Sequence, residues 1–162
     1  MQTPPEERRG PAQKRVEVSV ADQRLRVFEG GVEVAAFAIS TSKFGLGSEP
    51  DSFRTPLGEF EIGEKIGAGE GLRTVFKGRE VTGVWDPADE LEEDLVLTRI
   101  LWLHGLEPHN ANTRERYIYI HGTNQEDRIG SPASHGCVRM RNDEVADLFE
   151  MLEVGTPVSI VA

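Results

Sequence analysis

Apolar and polar residues alternate with period two over three early stretches: Val16-Glu17-Val18-Ser19-Val20, Arg24-Leu25-Arg26-Val27-Phe28, and the more apolar run 32–39. Alternation of this kind predicts half-buried strands, because successive side chains of a strand point to opposite faces. The breaks are short, Ala21-Asp22-Gln23 and Glu29-Gly30-Gly31, so the three strands are expected to meander antiparallel. Further strands are expected at 60–66, 74–76 and 117–120, with a last one at 158–161. Residues 94–103 form the most apolar segment and should be a buried central strand. Only residues 142–152 carry the helical period, with Val145, Leu148, Phe149 and Leu152 at i, i+3, i+4 and i+7. Asn142 is the expected N-cap, Asp143 and Glu144 suit the positive end of the helix dipole, and Gly155 and Pro157 close it. The pattern predicts a mainly β fold with minor α, a mixed sheet or sandwich with one helix packed on it.

Between these elements, residues 40–56 are rich in Gly, Ser, Thr, Pro and charge, and 67–83 contain five glycines. Both read as long loops, suited to wall or cover a groove. Residues 86–90 are expected to form a brief helical turn. Residues 1–15 lack hydrophobic periodicity and read as a flexible arm, which leaves 16–162 as one domain without internal repeats.

Composition narrows the function. The charge balance is 18 − 28 = −10, which offers no basic face for nucleic acid or an anionic membrane. No apolar run approaches the ~20 residues of a membrane span. The first eleven residues have no apolar core of an export signal. The expected compartment is the cytoplasm if residue 1 is the native start, and the periplasm or envelope if a leader was removed. One cysteine excludes an internal disulfide. Residues 114–141 run against the acidic trend, with Arg114, Arg116, Arg128, Arg139 and Arg141 against Glu115, Glu126 and Asp127. An arginine-rich rim suits a small substrate bearing carboxylates, and an ordinary solvated surface accounts for it equally well.

The lone Cys137 follows His121 by sixteen positions. His121 ends the predicted strand Tyr117-Ile118-Tyr119-Ile120, and Cys137 follows a turn-rich stretch with Gly130, Ser131, Pro132 and Gly136. A thiol on a loop and an imidazole at a strand end form a nucleophile and general base, since the thiolate is the attacking form. Gly136 permits a tight turn that aims backbone N–H groups at a developing oxyanion. Taken alone, a single cysteine is as well read as a small buried hydrophobe. Metal chemistry draws little support. His104, His109, His121, His135 and Cys137 lack ligand-pair spacing beyond His135-x-Cys137. Gly67-Ala68-Gly69-Glu70-Gly71 lacks the Lys-Ser/Thr of a phosphate loop, so no cofactor is expected. Trp85, Trp102, Tyr117 and Tyr119 either line a groove or sit in the core.

The segment His121-Gly122-Thr123-Asn124 with Ser134-His135-Gly136-Cys137-Val138-Arg139-Met140 resembles the active-site signature of the L,D-transpeptidase catalytic domain, of the YkuD or ErfK/YbiS type. Residues 21–28 resemble that family's opening hairpin. Ser40-Thr41-Ser42-Lys43 with Arg54-Thr55-Pro56-Leu57-Gly58-Glu59-Phe60 resembles its upstream block, so the similarity spans most of 16–161. The resemblance implies a thioester on Cys137 formed with a peptidoglycan tetrapeptide stem, through the L-centre of its third residue, meso-diaminopimelate, with loss of D-alanine. His121 is then the base and the Gly122 carbonyl fixes its tautomer. Gly136 and Cys137 supply oxyanion donors. Ser134 and His135 touch substrate or shape the loop, and Arg139 grips a substrate carboxylate through its planar fork. An amine resolving the thioester makes a transpeptidase; water makes an L,D-carboxypeptidase, which trims tetrapeptides during muropeptide recycling. A non-catalytic module binding wall fragments is the alternative of another class. The oligomeric state is left open.

Overall fold

The computed structural model describes residues 13–89 and 91–162. Among them run strands β1 (Lys14–Ser19), β2 (Arg24–Glu29), β3 (Val32–Ala38), β4 (Gly58–Ile66), β5 (Thr74–Lys77) and β6 (Glu80–Val84). These are followed by β7 (Val96–Gly105), β8 (Tyr119–Gly122), β9 (Val138–Met140), helix α1 (Asn142–Met151) and β10 (Pro157–Val161). Among the described residues the fold is a mixed β-sheet with a single α-helix, as the alternation predicts. Among the described residues no helix is long and apolar enough to cross a membrane.

β1, β2 and β3 form the expected antiparallel meander, pairing Val16 with Val27 and Leu25 with Phe37. The last strand, β10, runs parallel to the first, with Val16 opposite Val158 and Val18 opposite Ile160. From there the sheet continues through β4 to β7 and on to β5 and β6, while β8 pairs with β7 and β9 with β8. The central strand β7 is buried over most of its length, because it lies between neighbours on both edges and under α1. β1 already begins at Lys14, opposite Glu29, so residues 14–15 belong to the sheet and not to an arm. Gln13 precedes the strand and its carbonyl accepts from the Gly30 N–H, and residues 1–12 of that expected arm lie outside the described residues.

Other departures from the expected elements have local causes. Asn142 is not the cap but the first helical residue, with Arg141 at the N-cap. Its side chain is recruited inward: the amide oxygen accepts from the Thr98 hydroxyl at 2.8 Å and the amide nitrogen donates to the Thr123 carbonyl at 2.9 Å. Tyr117 adopts φ 57° and lies outside β8, half exposed. Residues 86–89 make a hydrogen-bonded turn, and Glu90 lies outside the described residues.

The apolar face of α1 is the one its period predicts: Val145, Leu148, Phe149 and Leu152 are all buried. They join Val16, Leu25, Phe60, Leu101, Ile120, Val138 and Ile160 in one core. Full burial of each such side chain contributes roughly 1.5–3 kcal/mol. Lys14 and Lys65 donate to the carbonyls of Met151 and Leu152 at 3.0 and 2.7 Å, placing two cations at the negative end of the helix dipole.

Candidate active site

The site is made by strand parity. β8 and β9 run parallel, with Ile120 opposite Val138, His121 opposite Arg139 and Gly122 opposite Met140. Paired residues of a ladder share a face, and alternate residues of a strand do too. One face of the pair therefore carries Ile120, Val138 and Met140, all in the main core. The other carries Tyr119, His121 and Arg139, and the Tyr119 N–H meets Sγ of Cys137, the residue just before β9. On this second face Cys137 packs with Phe76, Ile100, Trp102 and Tyr119 in a smaller apolar cluster.

His121 is buried, and its Nδ1–H donates to the Gly122 carbonyl. That contact leaves Nε2 as the ring's basic nitrogen. Burial holds the imidazole below its ordinary value of 6.5. The Asp94 carboxylate and the Gly122 carbonyl pull it back up, and Arg139 lowers it further. Burial also pushes the Cys137 thiol up, to about 12, against the opposing pull of the Tyr119 N–H. Among the described residues, Sγ accepts a hydrogen bond from the Tyr119 backbone N–H at 3.3 Å and donates to the Tyr117 carbonyl at 3.4 Å. Both groups are thus neutral near pH 7, and the thiol proton rests on a backbone carbonyl.

The flanking residues divide into braces and mouth. Gly136 has φ 122°, a conformation that favours glycine. Its N–H is engaged by the Ser134 hydroxyl at 3.3 Å, so the oxyanion role expected of it does not fit this arrangement. Ser134 is fully buried and donates to the Cys137 carbonyl at 2.7 Å; it shapes the loop and presents nothing to a substrate. His135 is the exposed member. Half its side chain is open, and it stacks with Phe44 and Phe53 at 5.7 and 6.0 Å between ring centres. It borders a cavity of about 320 Å³ with Phe53, Arg116 and Tyr117. Gly122 is required for another reason: a Cβ there would meet the Asn142 amide oxygen at 2.2 Å and the Leu97 carbonyl at 2.8 Å.

Arg139 departs most from expectation. Its side chain has no exposed surface and is held by Asp94 at 3.0 Å, Gln125 at 2.7 Å and Ser40 at 3.4 Å. A guanidinium so enclosed offers no fork to a substrate carboxylate. It acts instead as a pillar under the β8–β9 face, where Asp94 also reaches His135 at 3.9 Å. Removing one partner of a buried pair leaves the other uncompensated. Asp94→Ala is therefore expected to cost toward the lower end of about 3–5 kcal/mol, since Asp94 keeps 19% of its side chain exposed. Urea unfolding of the variant measures this, and a midpoint equal to that of the unsubstituted chain would discard the pillar role.

A family profile described as the YkuD-type L,D-transpeptidase catalytic domain matches residues 13–160. The chain belongs to this family. Among relatives, YqjB of Bacillus subtilis is 52% identical over 48 residues, which is 30% of this chain and 27% of that protein. YbiS of Escherichia coli is 50% identical over 46 residues, 28% of this chain and 15% of that one. The matched stretch is thus well under two thirds of either relative. Of solved structures, an L,D-transpeptidase from Xylanimonas cellulosilytica aligns with TM-score 0.62 and 22% identity, over 99% of this chain and 64% of that one. One from Mycobacterium smegmatis aligns with TM-score 0.61 and 17% identity, over 93% and 59%. At those identities the likeness is one of fold.

Within the L,D-transpeptidase domain the upstream block has a physical job that sequence reasoning did not assign. Ser40 pairs with Arg139 through two backbone hydrogen bonds of 2.9 Å, and Lys43 N–H donates to Ser134. The buried Thr55 hydroxyl donates to the Gly136 carbonyl at 2.9 Å and accepts from the Ser42 N–H at 3.0 Å. The loop bearing the thiol is thus braced from residues 40–55. Asp94 and Gln125 were also missed; each gains meaning only through the buried Arg139, 45 and 14 positions away. His104 and His109 lie elsewhere. The His104 ring is pressed against Gly63, and His109 shares a hydrogen bond with the Leu57 carbonyl at 3.0 Å. Among the described residues no group of three or more His, Cys, Asp or Glu side chains is placed to hold a metal.

Proposed function

We propose that this domain is a cysteine acyltransferase acting on peptidoglycan stem peptides. The observation that supports the reading is the pairing of β8 with β9, which sets His121 opposite Arg139, while the Cys137 thiol, two residues before Arg139, meets the backbone N–H of Tyr119, two residues before His121. In the reaction, Nε2 of His121 takes the thiol proton as Sγ forms its bond to the carbonyl carbon of the third stem residue. The C–N bond to D-alanine then breaks, and the proton passes to the leaving amine, which gives a thioester and free D-alanine. Burial disfavours the charged form of both the thiol and the imidazole, so the proton is passed between them as the bond to carbon forms. Turning Sγ from the Tyr117 carbonyl toward the imidazole is the motion this requires. A second amine resolves the thioester to a cross-link; water resolves it to a tripeptide.

Incubation with a tetrapeptide stem, followed by intact mass, tests the reading. The expected result is an adduct on Cys137 equal to the stem minus D-alanine. Imipenem, found complexed with the L,D-transpeptidase LdtMt1, should label the same residue. Absence of both adducts would leave a binding module. The fate of the thioester is a separate outcome. Water at ~55 M outcompetes millimolar amines unless an acceptor is positioned, an advantage that can reach effective molarities of ~10⁵ M. Tripeptide is therefore expected to dominate with soluble stems. Dominance of cross-linked dimer would reveal a built acceptor site and assign the transpeptidase outcome.

A further inference from the structure

The face that holds the thiol also carries a cluster of arginines and aromatic rings that the chemistry above leaves unused. The β5–β6 hairpin turns through Gly78 (φ 56°) and Arg79 (φ 67°), the two-residue connection in which both positions are left-handed. Glycine adopts that conformation freely, whereas an arginine there is strained. What the side chain meets is specific. The Arg79 guanidinium lies 4.8 Å from the Trp102 ring centre and 5.0 Å from that of Tyr117, and it donates to the Tyr119 hydroxyl at 3.3 Å. Arg114 approaches the same Trp102 ring at 4.7 Å and meets Glu64 at 3.4 Å. Among the described residues Arg79 has no carboxylate partner. Its charge is oriented by three rings, with the Glu64 carboxylate acting on it from the Arg114 side without an ion pair.

Tyr119 links this charge to the thiol. Its backbone N–H touches Sγ of Cys137, and its hydroxyl touches Arg79. One extended tyrosine therefore separates the acylated atom from the guanidinium. The diaminopimelate side chain, three methylenes and a terminal carbon that bears an amine and a carboxylate, spans a comparable number of bonds. We infer that Arg79, with Arg114 beside it, receives the carboxylate at the far end of the side chain of the residue being acylated. The domain thus selects donors that carry this carboxylate over donors in which it is amidated. The inference rests on the acyl-transfer reading above. It assigns to Arg79 the carboxylate recognition that the enclosed Arg139 has no surface to perform.

The test compares two tetrapeptide donors that differ only at the distal carboxylate of diaminopimelate, free or amidated, by kcat/KM for D-alanine release. The chain should prefer the free acid by about 10–100-fold, the scale of a hydrogen bond to a charged group. In Arg79→Asn, which keeps a residue tolerant of the left-handed turn, that ratio should fall toward one. Arg79→Lys should retain only part of it, because lysine lacks the planar fork. Imipenem labelling of Cys137 in each variant reports on the intact site. A ratio that persists in Arg79→Asn, a ratio near one in the unsubstituted chain, or equal losses with both donors would overturn the role of Arg79 alone. If the unsubstituted chain forms no acyl-enzyme with either donor, the acyl-transfer reading itself fails and takes this inference with it.

Discussion

Cys137→Ala is expected to abolish acyl-enzyme formation and to reduce turnover on the order of 10⁶-fold, the scale of losing the nucleophile from a covalent catalyst. No other side chain on the catalytic face replaces it: Tyr119 is engaged by Arg79, and Ser134 is buried beneath the loop with its hydroxyl on the Cys137 carbonyl. The fold should survive, because Cys137 sits at the rim of its cluster while the loop is held by Thr55, Ser40 and Ser134. Cys137→Ser keeps an acceptor for the Tyr119 N–H and makes the cleaner comparison for stability. Intact mass after incubation with stem peptide, beside urea unfolding of each variant, is the measurement. Turnover retained in Cys137→Ala would discard the whole mechanism.

His121→Ala should lose roughly 10²–10⁴ in kcat/KM, the usual span of general acid–base help, and the loss should change with pH. In the unsubstituted chain the imidazole is held below 6.5 by burial, so the base form persists and the acid limb of the rate profile should fall below pH 6.5. The thiol, near 12, contributes no titration around neutrality. Without the imidazole, thiolate must come from bulk base, so the His121→Ala rate should climb about tenfold per pH unit toward the thiol's value. Stability follows the same sign. The unfolded chain binds the His121 proton more readily than the folded one, so stability is present above 6.5 and is lost as pH falls through and below it. A flat His121→Ala profile, or an acid limb above 6.5, would mean that another group takes the proton.

What was legible in the chain depended on whether one face of an element met water. β1 and β2 alternate buried and exposed, so their period was plain. β6 went unseen because all five of its residues are exposed and carry no alternation. β9 failed in the opposite way: Val138, Arg139 and Met140 are all buried, and three residues are too few to show a period. That accounts for Arg139 as well, since an arginine in a turn-rich stretch is naturally read as facing solvent. Its burial depends on Asp94, which the linear pattern had assigned to the start of an apolar strand. Cys137 and His121 were singled out by the motif around them, since one cysteine with a distant histidine is a weak signal by itself. The role of Gly122 in close packing was not, because the atoms that exclude a Cβ come from β7 and α1.

The parallel pairing of β8 with β9 makes the site a matter of odd and even. His121 and Arg139 face one way because they are paired in the register, with Cys137 two residues before Arg139, while Ile120, Val138 and Met140 are even and belong to the core. A slip of one residue in β9 would exchange the two sets, sending the thiol into the core and a valine into the site. The stretch between the strands is tied at both ends: the Gln125 side chain holds Arg139, and the Ser134 hydroxyl holds the Cys137 carbonyl. Insertions among the exposed residues between them leave those two ties in place, whereas a single inserted residue inside 137–140 would break the register and the core together.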